Sequence, residues 1–395
     1  MTHTAPRVHG LDTLRSLAIL SVLVFHIQVF HGFAFNGTGT LPEALVPAAR
    51  MGWMGVDLFF VLSGYLIGSQ LFRPYSKGQS PSLSSFYRNR LFRVLPAYAV
   101  VLALYYLLPV WNEDPGHLSA LWQFLTFTFN LFVDYQRNQA FSHVWSLCIE
   151  EQFYLVLPLI ALATMRKPSL PKTAAVLGGL VLLGIAIRAF VLFHTLRPLD
   201  AAGESFGLEY MERIYYPTYS HFDGLLAGVS LALVKTFRPL WWIAMARRGH
   251  MLTGLGMALT GLAMYLFQNR FQSTTGAAAW GTVVGFPILS LGLGLLVASA
   301  LSDNGLLRFK VPGAKLIATL AYSLYLTHKE LIHLVDENFP PVAQAGRLQW
   351  LGLYVTACLF VASALYLCVE RPFLLLRDRV AEPRQCESKP APQGV

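Results

Sequence analysis

Apolar runs long enough, or nearly long enough, to cross a bilayer recur at about Leu14–Phe30, Met54–Phe72, Val94–Val110, Val144–Met165 and Thr173–Phe193. They continue at about Tyr219–Val234, Met251–Phe267, Ala277–Leu301, Leu316–Leu334 and Leu351–Val369. A hydrocarbon core of about 30 Å takes about 20 helical residues, so the pattern predicts an all-α polytopic membrane bundle of about ten transmembrane helices. A further run, Leu118–Val133, is apolar and aromatic but short. Whether it spans decides the orientation of every later loop.

Composition supports the membrane reading: 55% of residues are hydrophobic and only 13% charged, where soluble domains carry about 25% charged residues. The net charge of +9 would suit nucleic acid, but the basic residues gather in alternate loops, as the positive-inside rule describes. With a cytoplasmic N-terminus, Arg73 to Arg93, Arg166 to Lys172, Lys235 to Arg248, Arg308 to Lys315 and the C-terminal arginines all fall inside. The outer loops keep only scattered cations such as Arg50, Arg137, Arg197, Arg213, Arg270, Lys329 and Arg347. A spanning Leu118–Val133 would invert this bias, so that run is read as re-entrant or interfacial on the outer side. Both termini are expected to be cytoplasmic, and no nucleic-acid partner is expected. The first run lacks a small-residue cleavage site and is read as a retained helix. Cys148, Cys358, Cys368 and Cys386 have no metal-site or redox spacing and are read as free thiols, with no metal. One membrane domain, 1–375, is expected, followed by a polar, Pro-rich and disordered cytoplasmic tail, 376–395.

Ionisable residues inside apolar runs are costly and mark candidate chemistry. HGLDTLRSLAILSVLVFH, residues 9–26, sets Asp12, Arg15 and His26 on one helical stripe. Arg15 and His26 would lie about 16 Å apart along the axis. Singly, each also fits a plain role: Asp12 pairing with Arg15, Arg15 snorkelling, His26 bonding a neighbouring helix.

GVDLFFVLSGYLIG holds Asp57, a possible helix cap, then Ser63 and a Gly64-x-x-x-Gly68 pair suited to close helix contact. FYRNRLFRVLPAY crowds Arg88, Arg90 and Arg93 together. One such arginine is an ordinary anchor; three suit a phosphorylated ligand, because guanidinium matches phosphate bidentately. No Walker loop or G-x-G-x-x-G turn accompanies them.

SHVWSLCIEEQFYLVLPL puts His143, Ser146, Glu150 and Tyr154 on one face. Adjacent Glu150 and Glu151 inside a span have to be paired or protonated. Trp145 also fits an interface belt. YYPTYSHFDGLLAG brings His221, Asp223 and a Gly224-x-x-x-Gly228 pair. The loop before it mixes Asp200, Glu204, Glu209 and Glu212 with Phe206, Tyr210, Tyr215 and Tyr216. It is either a sugar-stacking vestibule or an aromatic membrane belt. AYSLYLTHKELIH spaces Tyr322, Tyr325 and His328 by threes, and VERPF closes the last run, with Pro372 limiting continuation.

Taken together, LDTLRSLAILSVLVFH, GVDLFFVLSGYLI, FYRNRLFRVLPAY, HVWSLCIEEQFYLVLPL, FDGLLAG, AYSLYLTH and ERPF resemble, in order, the blocks of the acyltransferase-3 family of bacterial membrane O-acyltransferases. The resemblance implies an acyl-CoA donor, usually acetyl-CoA, and a hydroxyl acceptor on a cell-surface glycan, a lipid-linked sugar or a secreted metabolite. It implies a bacterial inner-membrane location, catalytic roles for Arg15, His26, Glu150 and Glu151, donor binding by Arg88, Arg90, Arg93 and Arg15, and a functional role for Trp145 and Ser146, read here as acceptor contacts. Asp57, His221, Asp223 and His328 are read as further acceptor contacts from the helix ends on that side. His26 would be general base or transient acyl carrier, oriented by Glu150 or Glu151. Two blocks depart from the family: His221-Phe222 stand where an arginine often precedes the aspartate, and Lys329-Glu330 follow His328 where His-x-Pro is frequent. With no esterase-like domain after the last block, the membrane unit is expected to act alone. A secondary transporter using the same buried residues as a proton relay is the alternative, and a non-catalytic receptor a third.

Overall fold

The structure is a computed structural model describing residues 8–32, 49–108, 117–165, 169–201, 206–268, 270, 273–339 and 347–381. Among these there is no strand. Helices stand at all the predicted apolar runs: α1 (His9–Gly32), α2 (Met54–Ser76), α3 (Leu83–Leu107), α4 (Trp145–Met165) and α5 (Leu170–Val191). They are followed by α6 (Asp223–Phe237), α7 (Gly249–Phe267), α8 (Gly276–Ala300, through a π turn at Gly281–Gly285), α9 (Ala314–Asn338) and α10 (Arg347–Leu365).

Among the described residues, 8 helical stretches are long and apolar enough to cross a membrane; α6 and α9 fall outside that set. They are interior helices. α6 is only 15 residues long, and α9 carries His328, Lys329 and Glu330, all buried. A helix walled in by protein need not be apolar on every face.

The α2–α6 contact forms the centre of the bundle. Gly64 lies on the Leu225 backbone, Gly228 on the backbone of Val61 and Tyr65, and Gly224 against Phe60, so any Cβ at these positions would collide. Both predicted glycine pairs thus face each other and let two backbones approach within side-chain range. α1 packs on α2 and α9, α9 on α10, and α7 on α8.

Residues 118–133 do not span; they form a short helix, Leu121–Leu125, and a 3-10 turn, Phe129–Leu131. Phe127 sits at φ 52, a left-handed conformation that bulky residues rarely adopt. Non-helical backbone within a membrane protein has to find its hydrogen bonds in protein. Gln152 of α4 supplies them, donating to Phe127 O at 2.6 Å and to Asn130 Oδ1 at 2.9 Å. Asn130 donates onward to Tyr216 O and Thr218 Oγ1, and Thr218 donates back to Gln152 Oε1.

Loops predicted to be inside share one end of the bundle: Thr13 reaches Phe309 O, and Arg93 pairs with Glu370. The other end gathers residues 134–135 with Glu212, and Asp200 with Thr274. α5 runs on through a π turn, Leu192–Leu196, and Arg197–Ala201, so part of the expected loop is helical. The expected stop at Pro372 does not occur. A π turn, Tyr366–Glu370, leads directly into α11 (Arg371–Ala381), and the wider turn relieves the clash a proline ring makes with the preceding carbonyls. Residues 376–381 of the expected tail lie in this helix; 382–395 lie outside the described residues.

Gly228→Leu should destabilise the protein by about 1–3 kcal/mol through overpacking, whereas Gly254→Leu, where a Cβ meets nothing within 4 Å, should be tolerated. Thermal unfolding in detergent, followed by size-exclusion chromatography, checks the contrast; equal melting temperatures would contradict the close α2–α6 approach.

Candidate active site

A cavity of about 340 Å³ lies among α1, α2, α3, α4 and α9. Arg15, Arg90, Arg93 and, from α11, Arg377 line its basic end. Arg90 and Arg93, three residues apart, share one face of α3, while Arg88 points elsewhere and donates to Ser85 Oγ at 3.3 Å. Arg93 pairs with Glu370 at 3.3 Å, and Glu370 also accepts from Ser323 at 2.9 Å. Arg90 donates to Gln70 at 3.2 Å and lies 5.3 Å from the centre of the Tyr154 ring. Arg377, held by Asp378 at 2.7 Å, was counted in the sequence only as a loop cation. A fold that returns the last helix to the cavity mouth is what makes it more.

The predicted stripe on α4 forms one wall. Ser63 donates to the Tyr154 hydroxyl, which donates to Glu150 Oε2 at 3.0 Å. Glu151 faces partly away, with Oε1 buried and unpartnered among the described residues. Towards the far end, Ser146 and Tyr325 line the cavity, their hydroxyls 2.5 Å apart. The Tyr325 hydroxyl donates to the His143 carbonyl.

Behind Tyr325 stand three imidazoles. The His328 ring centre lies 5.8 Å from that of Tyr325, 5.2 Å from His143 and 4.8 Å from His26. His26 Nδ1 lies 3.0 Å from Val22 O and 3.2 Å from His328 Nε2. His328 Nδ1 meets the Tyr325 and Leu324 carbonyls, and His143 Nε2 meets Leu326 O. The group facing His26 Nδ1 is therefore an imidazole, where the sequence offered Glu150 or Glu151. Lys329 donates to Gln139 O at 3.0 Å and Ser142 Oγ at 3.2 Å. Among the described residues no group of His, Cys, Asp and Glu side chains could hold a metal ion. Cys148, Cys358 and Cys368 are free thiols; Cys386 lies outside the described residues. His143 was visible in the sequence only as part of the α4 stripe. Its chain turns through Phe141 at φ 56, packed against Tyr105.

The remaining candidates build the scaffold around this cavity. Asp57 and His221 are fully buried and meet at 2.9 Å, with His221 Nδ1 donating to Tyr215 O at 2.7 Å. Trp145 stacks on His221, rings 5.2 Å apart, among Phe60, Tyr215 and Tyr216. Asp223 is bound bidentately by Arg188 of α5 at 2.7 and 3.3 Å, and Arg188 also donates to Ser220 O and Val283 O. The loop rings Phe206, Tyr210, Tyr215 and Tyr216 are buried, so they form core beneath that end rather than an open sugar platform. Glu209 pairs with Arg213 and Glu212 accepts from Tyr135 N, while Glu204 lies outside the described residues. Arg188 was not singled out from the sequence, although an arginine alone in an apolar run points to a buried partner without naming it.

Fold and site together define an integral-membrane protein with a basic cavity and, behind its Tyr325 wall, a cluster of buried histidines. The family model described as an acyltransferase domain matches residues 8–369, and the chain belongs to that family. It is 26% identical to the peptidoglycan O-acetyltransferase OatA of Listeria monocytogenes, over 91% of this chain and 54% of that protein. It is 31% identical to YrhL of Bacillus subtilis, a candidate peptidoglycan O-acetyltransferase, over 59% of this chain and 34% of the relative. A candidate O-acetyltransferase of Staphylococcus aureus is 25% identical over 93% of this chain and 57% of its own length. The chain thus spans about half the length, or less, of the curated relatives it matches. No solved structure matches it.

Removing one partner of a buried pair leaves an uncompensated charge, so Arg188→Ala should cost about 3–5 kcal/mol. A second change, Asp223→Leu, should recover part of that loss. Unfolding midpoints of the single and double variants in detergent check this; an additive double variant would show that the pair is not coupled.

Proposed function

We propose that this chain is a membrane O-acetyltransferase that moves an acetyl group from acetyl-CoA to a hydroxyl of a cell-surface glycan. Membership of the acyltransferase family supports the reaction class, and the relatives named for peptidoglycan O-acetylation support the acceptor class. The observation that carries the reading is the cavity: arginines at one end, and the Glu150–Tyr154 and Ser146–Tyr325 pairs leading towards His26 and His328. Arg90 and Arg93, with Arg15 and Arg377, suit the phosphates of CoA, because fixed guanidinium forks match phosphate oxygens. Arg88, which faces away from the cavity, contributes less. A proton relay for transport would leave this basic mouth without a ligand.

In the proposed orientation both termini and the arginine end face the cytoplasm, where acyl-CoA is available, and the histidine end lies towards the outside of the inner membrane. His26 takes the proton of the acceptor hydroxyl as its oxygen bonds to the thioester carbonyl carbon. The carbon–sulfur bond breaks, and the proton passes from His26 to the departing CoA thiolate. Tyr154 donates to Glu150, so the Glu150 side chain is held in place rather than left to approach the thioester. Asp57, Trp145, His221 and Asp223 shape the acceptor side through the scaffold they build.

With purified protein, labelled acetyl-CoA and a soluble peptidoglycan fragment, Arg90→Ala and Arg93→Ala should weaken donor binding at least tenfold, and binding should fall with added salt. Arg88→Ala should change binding far less. His26→Ala should bind donor normally while its transfer drops about 100-fold or more. Donor binding indifferent to Arg90 and Arg93, or normal transfer by a folded His26→Ala protein, would remove this reading.

A further inference from the structure

His26 and His328 meet ring to ring although 302 positions separate them in sequence. Their surroundings fix where the protons sit. His328 Nδ1 lies 2.9 Å from Tyr325 O and 3.1 Å from Leu324 O. A carbonyl only accepts, so this nitrogen carries hydrogen. His26 Nδ1 lies 3.0 Å from Val22 O and carries hydrogen for the same reason. At the 3.2 Å contact between His26 Nδ1 and His328 Nε2, one atom has to accept. The single hydrogen on His26 Nδ1 is shared between Val22 O and His328 Nε2, so His328 Nε2 is the bare nitrogen and His328 is neutral. The proton-accepting nitrogen of His26 is then Nε2.

We infer that His328 is the positioning residue of the transfer reaction: it accepts from His26 Nδ1–H and so fixes the tautomer and ring orientation that present His26 Nε2 to the acceptor hydroxyl. This rests on the reading of His26 as general base given above. The proton of the hydroxyl goes to His26 Nε2 and leaves with the CoA thiolate; His328 neither gains nor loses one. While His26 is an imidazolium, His328 holds it through the same hydrogen bond. The arrangement gives a neutral ring the task a carboxylate performs in Ser-His-Asp sites. A carboxylate at this depth would add a charge needing its own partner; an imidazole anchored on two carbonyls of its own helix does not.

Two variants separate this role from space filling. His328→Gln keeps an amide oxygen able to accept from His26, and His328→Leu removes it. With acetyl-CoA and a soluble peptidoglycan fragment, His328→Leu should lower kcat about 100-fold with KM for acetyl-CoA unchanged, and His328→Gln should recover most of the rate. In protein labelled with 15N-histidine and free of donor, wild type should show a scalar coupling across the His26 Nδ1–H···Nε2 His328 bond, absent in His328→Leu. Equal kcat in the Gln and Leu variants, or His26 signals unaltered by His328→Leu, would overturn the proposal. If wild type shows the coupling but moves no acetyl group, the hydrogen-bonded pair stands and the donor reading fails.

Discussion

A charge taken into a membrane-spanning bundle has to be met by another part of the chain, and here the meetings also join the helices. Asp57 on α2 meets His221 beside α6, and Arg188 on α5 grips Asp223 at the start of α6. Arg93 on α3 pairs with Glu370 next to α11. The glycine-lined α2–α6 approach brings Asp57 within reach of His221, so packing and pairing depend on each other. Because such pairs cost desolvation as well as gaining attraction, they specify which helices meet more than they add stability.

Against this paired background, the cavity differs in kind. Its arginines line open space between helices even where, as with Arg93 and Arg377, a carboxylate also holds them, its hydroxyls run in a chain from Ser63 through Tyr154 to Glu150, and its far wall backs onto imidazoles bonded to carbonyls and to each other. Arg15 and His26 lie on one stripe of α1, about 16 Å apart by helical rise, a reach comparable with an extended pantetheine arm. One helix can therefore present a phosphate contact at one end and a base at the other. The acyltransferase family to which the chain belongs gives that separation a chemical meaning.

Much of the fold was legible because period and apolarity report directly on spanning helices, and each of the ten predicted runs holds a helix. The exclusion of 118–133 as a span followed from charge bias alone, but its anchor, Gln152, did not, since one polar residue beside Glu150 and Glu151 drew no notice. The π turns at 192–196, 281–285 and 366–370 have no composition signal, so helix continuation past Pro372 was unreadable. Within the site, α4's stripe was fixed by helical spacing. The same spacing separates Arg88 from Arg90 and Arg93, a distinction hidden when the three are read as a cluster. Contacts between distant segments were out of reach: Arg377 at the cavity mouth, Arg188 on Asp223, and His328 on His26. Trp145 and His221 were singled out for chemistry, yet they stack within the scaffold, because burial cannot be told from exposure by residue type.

The central claim is that the arginine-lined cavity receives the acyl donor. A structure of the protein bound to a non-transferable thioether analogue of acetyl-CoA tests it most directly. Phosphate density beside Arg90 and Arg93, with the acyl arm running past Glu150 towards Tyr325 and His26, is the predicted result. An analogue seated elsewhere, with the cavity unoccupied at saturating concentration, would contradict the account.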